Sequence, residues 1–227
     1  MDFLIIIFNR SINFLKYPIA LTFTFLTLEF VNVLFSIFIE IYQDFMIYQN
    51  FFMGMGAYII GTILFKTQKG NWFLTIEHEL THTLFALLTF HKIIDFKASD
   101  KHGGYMQYSG VGGGNWLITI APYFFPTFSM FIIVFIYFFE PKFYSFLVML
   151  LGYSTLYHIH STYYETTLSQ PDIKEVGLIF SFLFLPGANL LVLIGIFSAI
   201  PEDNIDFFVI TNHFYQYIFY FFNNFKF

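Results

Sequence analysis

Six stretches of this chain, residues 17–40, 47–65, 72–90, 115–139, 143–163 and 176–199, are each mostly apolar and about as long as a helix must be to cross a bilayer. Only 11% of the residues are charged, against about 25% in an ordinary soluble domain. Mean hydropathy is +0.67. Too little polar surface is available to face water, so most of the surface must face lipid. In lipid every backbone N–H and C=O must find an internal partner, which favours helices. The expected fold is all-α and polytopic, with about six transmembrane helices in one membrane-embedded domain over residues 1–227.

The ends are less regular. MDFLIIIFNR is a poor signal peptide, because its apolar run is short and its positive charge follows that run. The first long span is expected to act as an uncleaved anchor. Residues 205–222 are aromatic-rich but contain Asn212, His213 and Gln216, and read as an interfacial helix or an extra span. With the N-terminus inside, Arg10, Lys16, Lys66, Lys69, Lys142 and Lys226 fall on the inner side, and the other four cations fall outside. That small bias places the start of the third span near the inner face. The expected localisation is that of an integral multi-pass protein of a cell (inner) membrane.

A net charge of −5 argues against nucleic acid as a partner. The chain has no cysteine, so any metal must be held by His, Asp or Glu. Between the third and fourth spans, Ile93–Lys97 and Tyr105–Ser109 read as strands, with the turn residues SDKHGG between them. A short membrane-associated β-hairpin is expected there, followed by the permissive run GVGGGN.

The third span carries EHELTHTLFA at residues 77–86. Ionisable groups inside a membrane helix are rare and are usually functional. His78 and His82 are four apart and therefore share a helix face. Two imidazoles in that arrangement can hold one Zn²⁺. Glu79 stands about 100° further round, where a carboxylate reaches a metal-bound water without ligating the metal. Glu77 lies on another side and is expected to face the interface.

HELTHTLFA resembles the signature of the site-2 protease family of intramembrane zinc metalloproteases. That family places H-E-x-x-H on a membrane helix, typically with alanine at the position of Ala86, and follows it with membrane-associated β-structure. Thr81 departs mildly from the small residue common in the family. The resemblance covers roughly residues 72–199. It implies a zinc-dependent metalloendopeptidase, with Glu79 as catalytic base, His78 and His82 as metal ligands, a membrane-protein helix as substrate and the bilayer as surroundings. The oligomeric state is not implied.

A catalytic zinc needs a third protein ligand. The family supplies an aspartate from an L-D-G motif near a later span, and this chain has no such motif. Asp172, just before the span at 176–199, occupies the corresponding place. Pro171 and Asp172 equally suit the first turn of a helix. The alternative third ligand is His158. With Ser154, Ser161 and Glu165 it forms a polar stripe on the fifth span, which must face the bundle interior. His158 and Glu165 are thus expected to line the site, while His160 points the opposite way, to the interface.

Other polar groups are assigned structural roles. Glu29, Asn32, Ser36 and Glu40 are expected to pack inward from the first span. Asn115 is expected to cap the fourth span, and Asn189, near Pro186, to bond a neighbouring helix. His91, His102 and His213 are expected to be solvated. Two other classes of function share this composition: a catalytically inactive relative serving as a membrane scaffold, and a transporter with a polar, helix-lined pathway. Di-iron oxygenases need several histidine clusters, and this chain offers one H-E-x-x-H and one isolated H-x-H.

Overall fold

The structure is a computed structural model that describes residues 2–65, 72–99, 103–110 and 113–200. Helices dominate it. In chain order they are α1 (Asp2–Phe14), α2 (Lys16–Gln43), α3 (Phe45–Phe65), α4 (Trp72–Leu88), α5 (Trp116–Ile120), α6 (Thr127–Phe138), α7 (Tyr144–Glu165), α8 (Pro171–Val176) and α9 (Leu178–Ser198). Short 3₁₀ turns at Ala121–Tyr123 and Pro141–Phe143 link α5 to α6 and α6 to α7. The strands β1 (Ile93–Ser99) and β2 (Gly103–Tyr108) form an antiparallel hairpin, as expected, with Ile93 opposite Tyr108 and Ser99 opposite Gly103. Residues 205–222, His102 and His213 lie outside the described residues.

All six apolar stretches are helical. Among the described residues, α2 and α9 are long and apolar enough to cross a membrane alone. The stretch expected as one span at 115–139 is instead two helices, bent by 84° between Trp116–Tyr123 and Thr127–Phe138. Two prolines explain the break. Pro122 lies in the 3₁₀ turn and Pro126 just before α6, where neither can donate a backbone hydrogen bond. Asn115 caps α5 as expected, its side chain accepting from the Ile118 N–H at 3.2 Å.

The helices pack in pairs. α2 lies along α9 and α3 along α7. At the second crossing the backbones touch. A β-carbon added at Gly54 would lie 1.8 Å from the Met149 carbonyl oxygen, and one added at Gly152 would lie 1.9 Å from that of Phe51. These reciprocal glycines are what let two membrane-type helices approach so closely. Phe30, Ile37, Phe51, Leu151, Ile194 and Phe197 fill the core between the pairs. A second cluster, with Trp116, Tyr123, Ile173, Phe180 and Phe184, joins α5 and α8 to α9.

The polar stripe of α2 differs from the expectation. Asn32 and Ser36 are exposed rather than packed inward. Asn32 donates to Glu29 at 3.2 Å and Ser36 to the Asn32 carbonyl at 3.2 Å, so the helix satisfies part of its own polarity.

His91, expected in solvent, is 2% exposed. Phe90 takes a left-handed φ of 65° at the end of α4, and the His91 N–H returns to the Ala86 carbonyl at 2.8 Å. This turn tucks the imidazole under the hairpin. The Asn115 oxygen is engaged by Ile118, so its amide nitrogen donates to Asn9 at 2.8 Å. Asn9 therefore presents its own NH₂ to His91 Nε2 at 3.1 Å, and His91 Nδ1 donates to Thr89 at 3.0 Å. Burial pushes the His91 pKa below its ordinary value, in keeping with a neutral ring. The network fastens α1 to the root of the hairpin and to the start of α5.

Candidate metal centre

The centre forms where α4 crosses the 3₁₀ turn and the first turn of α8. The i, i+4 spacing sets the His78 and His82 rings 4.8 Å apart, with Nε2 atoms 3.1 Å from each other. Pro171 starts α8 with its fixed φ, and Asp172 follows in the first turn. Ile173 and Val176 bury this helix against Trp116 and Phe180, which carries Asp172 to α4. Its Oδ2 lies 3.2 Å from His78 Nε2 and 3.4 Å from His82 Nε2. One ligand atom from each of His78, His82 and Asp172 falls within 4.8 Å of the others. Burial pushes the Asp172 carboxyl up, but the two imidazoles more than offset this and hold it well below the usual carboxylate range.

Each imidazole is oriented from behind. His82 Nδ1 is 2.8 Å from the Ile118 carbonyl, which can only accept, so Nδ1 carries the proton and Nε2 turns a lone pair inward. His78 Nδ1 faces Glu165 Oε2 at 3.5 Å. A carbonyl and a carboxylate behind two histidines is the usual outer support of a metal site. Two imidazole nitrogens and a carboxylate oxygen form a donor set suited to Zn²⁺.

The polar stripe of α7 faces inward as expected, with Ser154, His158 and Ser161 all buried. His158 is 4% exposed, and its Nε2 lies 3.4 Å from the Thr162 hydroxyl rather than in the His78–His82–Asp172 cluster. Glu165 reaches the edge of that cluster. His160 points away and meets the Tyr58 hydroxyl at 2.8 Å.

Glu77 corrects another expectation, being 6% exposed rather than interfacial. Its Oε1 accepts from the Phe128 N–H at 3.4 Å, at the start of α6, which has no side-chain cap of its own. Thr81 donates to the Glu77 carbonyl at 2.7 Å and lies 2.5 Å from the Thr127 hydroxyl. These contacts fix the bent segment to α4. Glu79 is 7% exposed and lies under β2. A β-carbon on Gly104 would sit 2.6 Å from Glu79 Cγ and 2.6 Å from Thr75 Cγ2, so only glycine lets the strand pass this close.

The family model described as Peptidase M50B-like matches residues 54–168. That is half of the 227-residue chain, and it contains the whole of α4 and the hairpin. The chain belongs to the Peptidase M50B-like family. No curated protein and no solved structure is significantly similar to it. The family suggests a membrane metallopeptidase of the site-2 protease type, consistent with the membrane-length helices. The match ends at residue 168, so Asp172 is connected to His78 and His82 by distance, and not by the family model.

Three features of the centre were not read from the sequence. The Ile118 carbonyl is invisible because backbone groups carry no residue signal. Gly104 is one of several glycines in its loop. Tyr123, which touches both Asp172 and His78, sits in an ordinary aromatic run; a phenol buried there needs a partner, and only the fold shows which.

Proposed function

We propose that this M50B-like protein is an intramembrane zinc metalloendopeptidase that hydrolyses peptide bonds of membrane-embedded substrates. The six helical stretches then correspond to the membrane bundle, and the substrate is the transmembrane segment of another protein. The observation that carries this reading is the convergence of His78, His82 and Asp172 beside Glu79 on a buried helix.

Zinc, when held by these three residues, supplies Lewis acidity that makes water nucleophilic near neutral pH. The rest falls to the chain. His82 stays in one tautomer through the Ile118 carbonyl, and Glu165 steadies His78. Glu79 takes the proton of the attacking water and delivers it to the nitrogen of the leaving amine, so its carboxylate is restored at the end of the cycle. Burial of Glu79 beneath β2 limits competing solvent. A substrate helix hides its amides in its own hydrogen bonds and must unwind locally. The hairpin beside Glu79 offers strand backbone to hold the extended segment.

The test is direct. Purified protein should contain about one zinc per chain, cleave a reconstituted membrane substrate, lose cleavage on chelation and regain it with added zinc. Metal-free protein with undiminished cleavage would end the proposal. A narrower check uses Gly104→Val, which should lower turnover at unchanged zinc content by displacing Glu79 or the strand. Turnover equal to wild type would show that β2 does not constrain the base.

A further inference from the structure

Outside the residues that the motif announces, one buried polar side chain is directed at the centre. Tyr123 is 0% exposed, and its hydroxyl donates to Asp172 Oδ2 at 3.0 Å, the same oxygen that faces both imidazoles. Its ring meets that of His78 edge-on, with centroids 5.4 Å apart and planes at 89°. Its backbone is fixed as well. Asn189, in the middle of α9, donates to the Tyr123 carbonyl at 3.1 Å and to the Leu185 carbonyl at 3.0 Å.

We propose that Tyr123 is a positioning residue, which orients the Asp172 carboxylate for metal ligation and couples α9 to the centre through Asn189. This rests on the zinc reading above. The chemistry is specific. A carboxylate on a one-turn helix rotates freely about its own side-chain bonds unless something pins it. α8 has six residues and follows the irregular stretch after α7, so the helix alone fixes little of the side-chain direction. A phenolic O–H that donates to one carboxylate oxygen limits that rotation and occupies a lone pair that the metal does not need. Residues that hold a ligand in this way typically alter metal affinity by about 10–100-fold. The chain Asn189, Tyr123, Asp172 also gives α9 a second connection to the centre, beside its covalent link through the α8 backbone.

Tyr123→Phe keeps the ring on His78 and the backbone carbonyl for Asn189, and removes only the hydroxyl. Zinc affinity, measured by chelator competition on the full-length protein in detergent, should fall about 10–100-fold, with the melting temperature of the metal-free protein unchanged. With Co²⁺ as a spectroscopic probe, the d–d bands should shift as the Asp172 geometry relaxes. Repeating Tyr123→Phe on an Asp172→Asn background decides whether the effect passes through Asp172. There the second substitution should cost almost nothing further, because coupled residues are non-additive. Wild-type affinity and unchanged Co²⁺ bands in Tyr123→Phe would overturn the proposal, as would an equal loss on both backgrounds. If Tyr123→Phe does not fold, fluorotyrosine placed at position 123 of the otherwise intact protein should show a ¹⁹F shift on zinc addition, and a static resonance would overturn the proposal. Failure of the wild-type protein to bind zinc at all would instead remove the metalloprotease reading.

Discussion

Glu79→Gln should leave zinc bound at wild-type stoichiometry and reduce cleavage by about 10²–10⁴-fold, the usual contribution of a positioned general base. The substitution is nearly isosteric. Glu79 is 7% exposed and fits closely beneath Gly104, so a larger or smaller side chain would confuse loss of the proton acceptor with disturbed packing. Glutamine keeps the shape and removes the basic oxygen. It also keeps both imidazoles, whose orientation depends on Ile118 and Glu165 rather than on Glu79. The paired measurement is metal content by mass spectrometry and cleavage of a reconstituted transmembrane peptide. Retained zinc with lost cleavage supports the assigned role. Retained zinc with retained cleavage removes Glu79 from the mechanism.

The second large effect concerns the third ligand. Asp172→Ala should release zinc on dialysis, with a loss of affinity greater than the roughly 10–100-fold typical of an outer-sphere change. His158→Ala should keep zinc near one equivalent. The two positions differ in geometry. Asp172 Oδ2 stands 3.2 Å and 3.4 Å from the inward nitrogens of His78 and His82. His158, though buried on the inward face of α7, is engaged near Thr162. His158→Ala is expected to destabilise the bundle by opening a cavity, so its melting temperature should fall even though its metal does not leave. The reverse pattern, zinc lost from His158→Ala and kept by Asp172→Ala, would exchange their roles.

Periodicity within one helix was readable without any fold. His78 and His82 share a face of α4 because four residues make about one turn, and Ser154, His158 and Ser161 share the inward face of α7 for the same reason. The hairpin was also legible, because strand-like runs flanked polar turn residues. The bend at Pro122 and Pro126 was not. Apolar content alone reads 115–139 as continuous, and only packing on α4 shows how the chain uses the two prolines. The burial of His91 leaves no trace in the sequence, because a loop position says nothing about what covers it. The distant partner of His91, Asn9, is 82 residues away along the chain and is itself held by Asn115, which lies beyond the hairpin. The burial of Glu77 is hidden for a similar reason, since its partner is the uncapped N-terminus of a helix that the apolar pattern does not separate from α5.

By itself the sequence pointed to a helical membrane protein, and one turn of its third apolar stretch carries two imidazoles and a carboxylate in metalloprotease order. Those properties follow from local spacing and from the scarcity of charge, which are fixed before folding. Which carboxylate meets the imidazoles, and which groups stand behind each ring, was decided only by the tertiary structure. Asp172 is 94 residues from His78 along the chain and 3.2 Å from it in space. That approach brings together a bent helix, a one-turn helix and a tyrosine held from α9, and no local pattern encodes how these pack against one another.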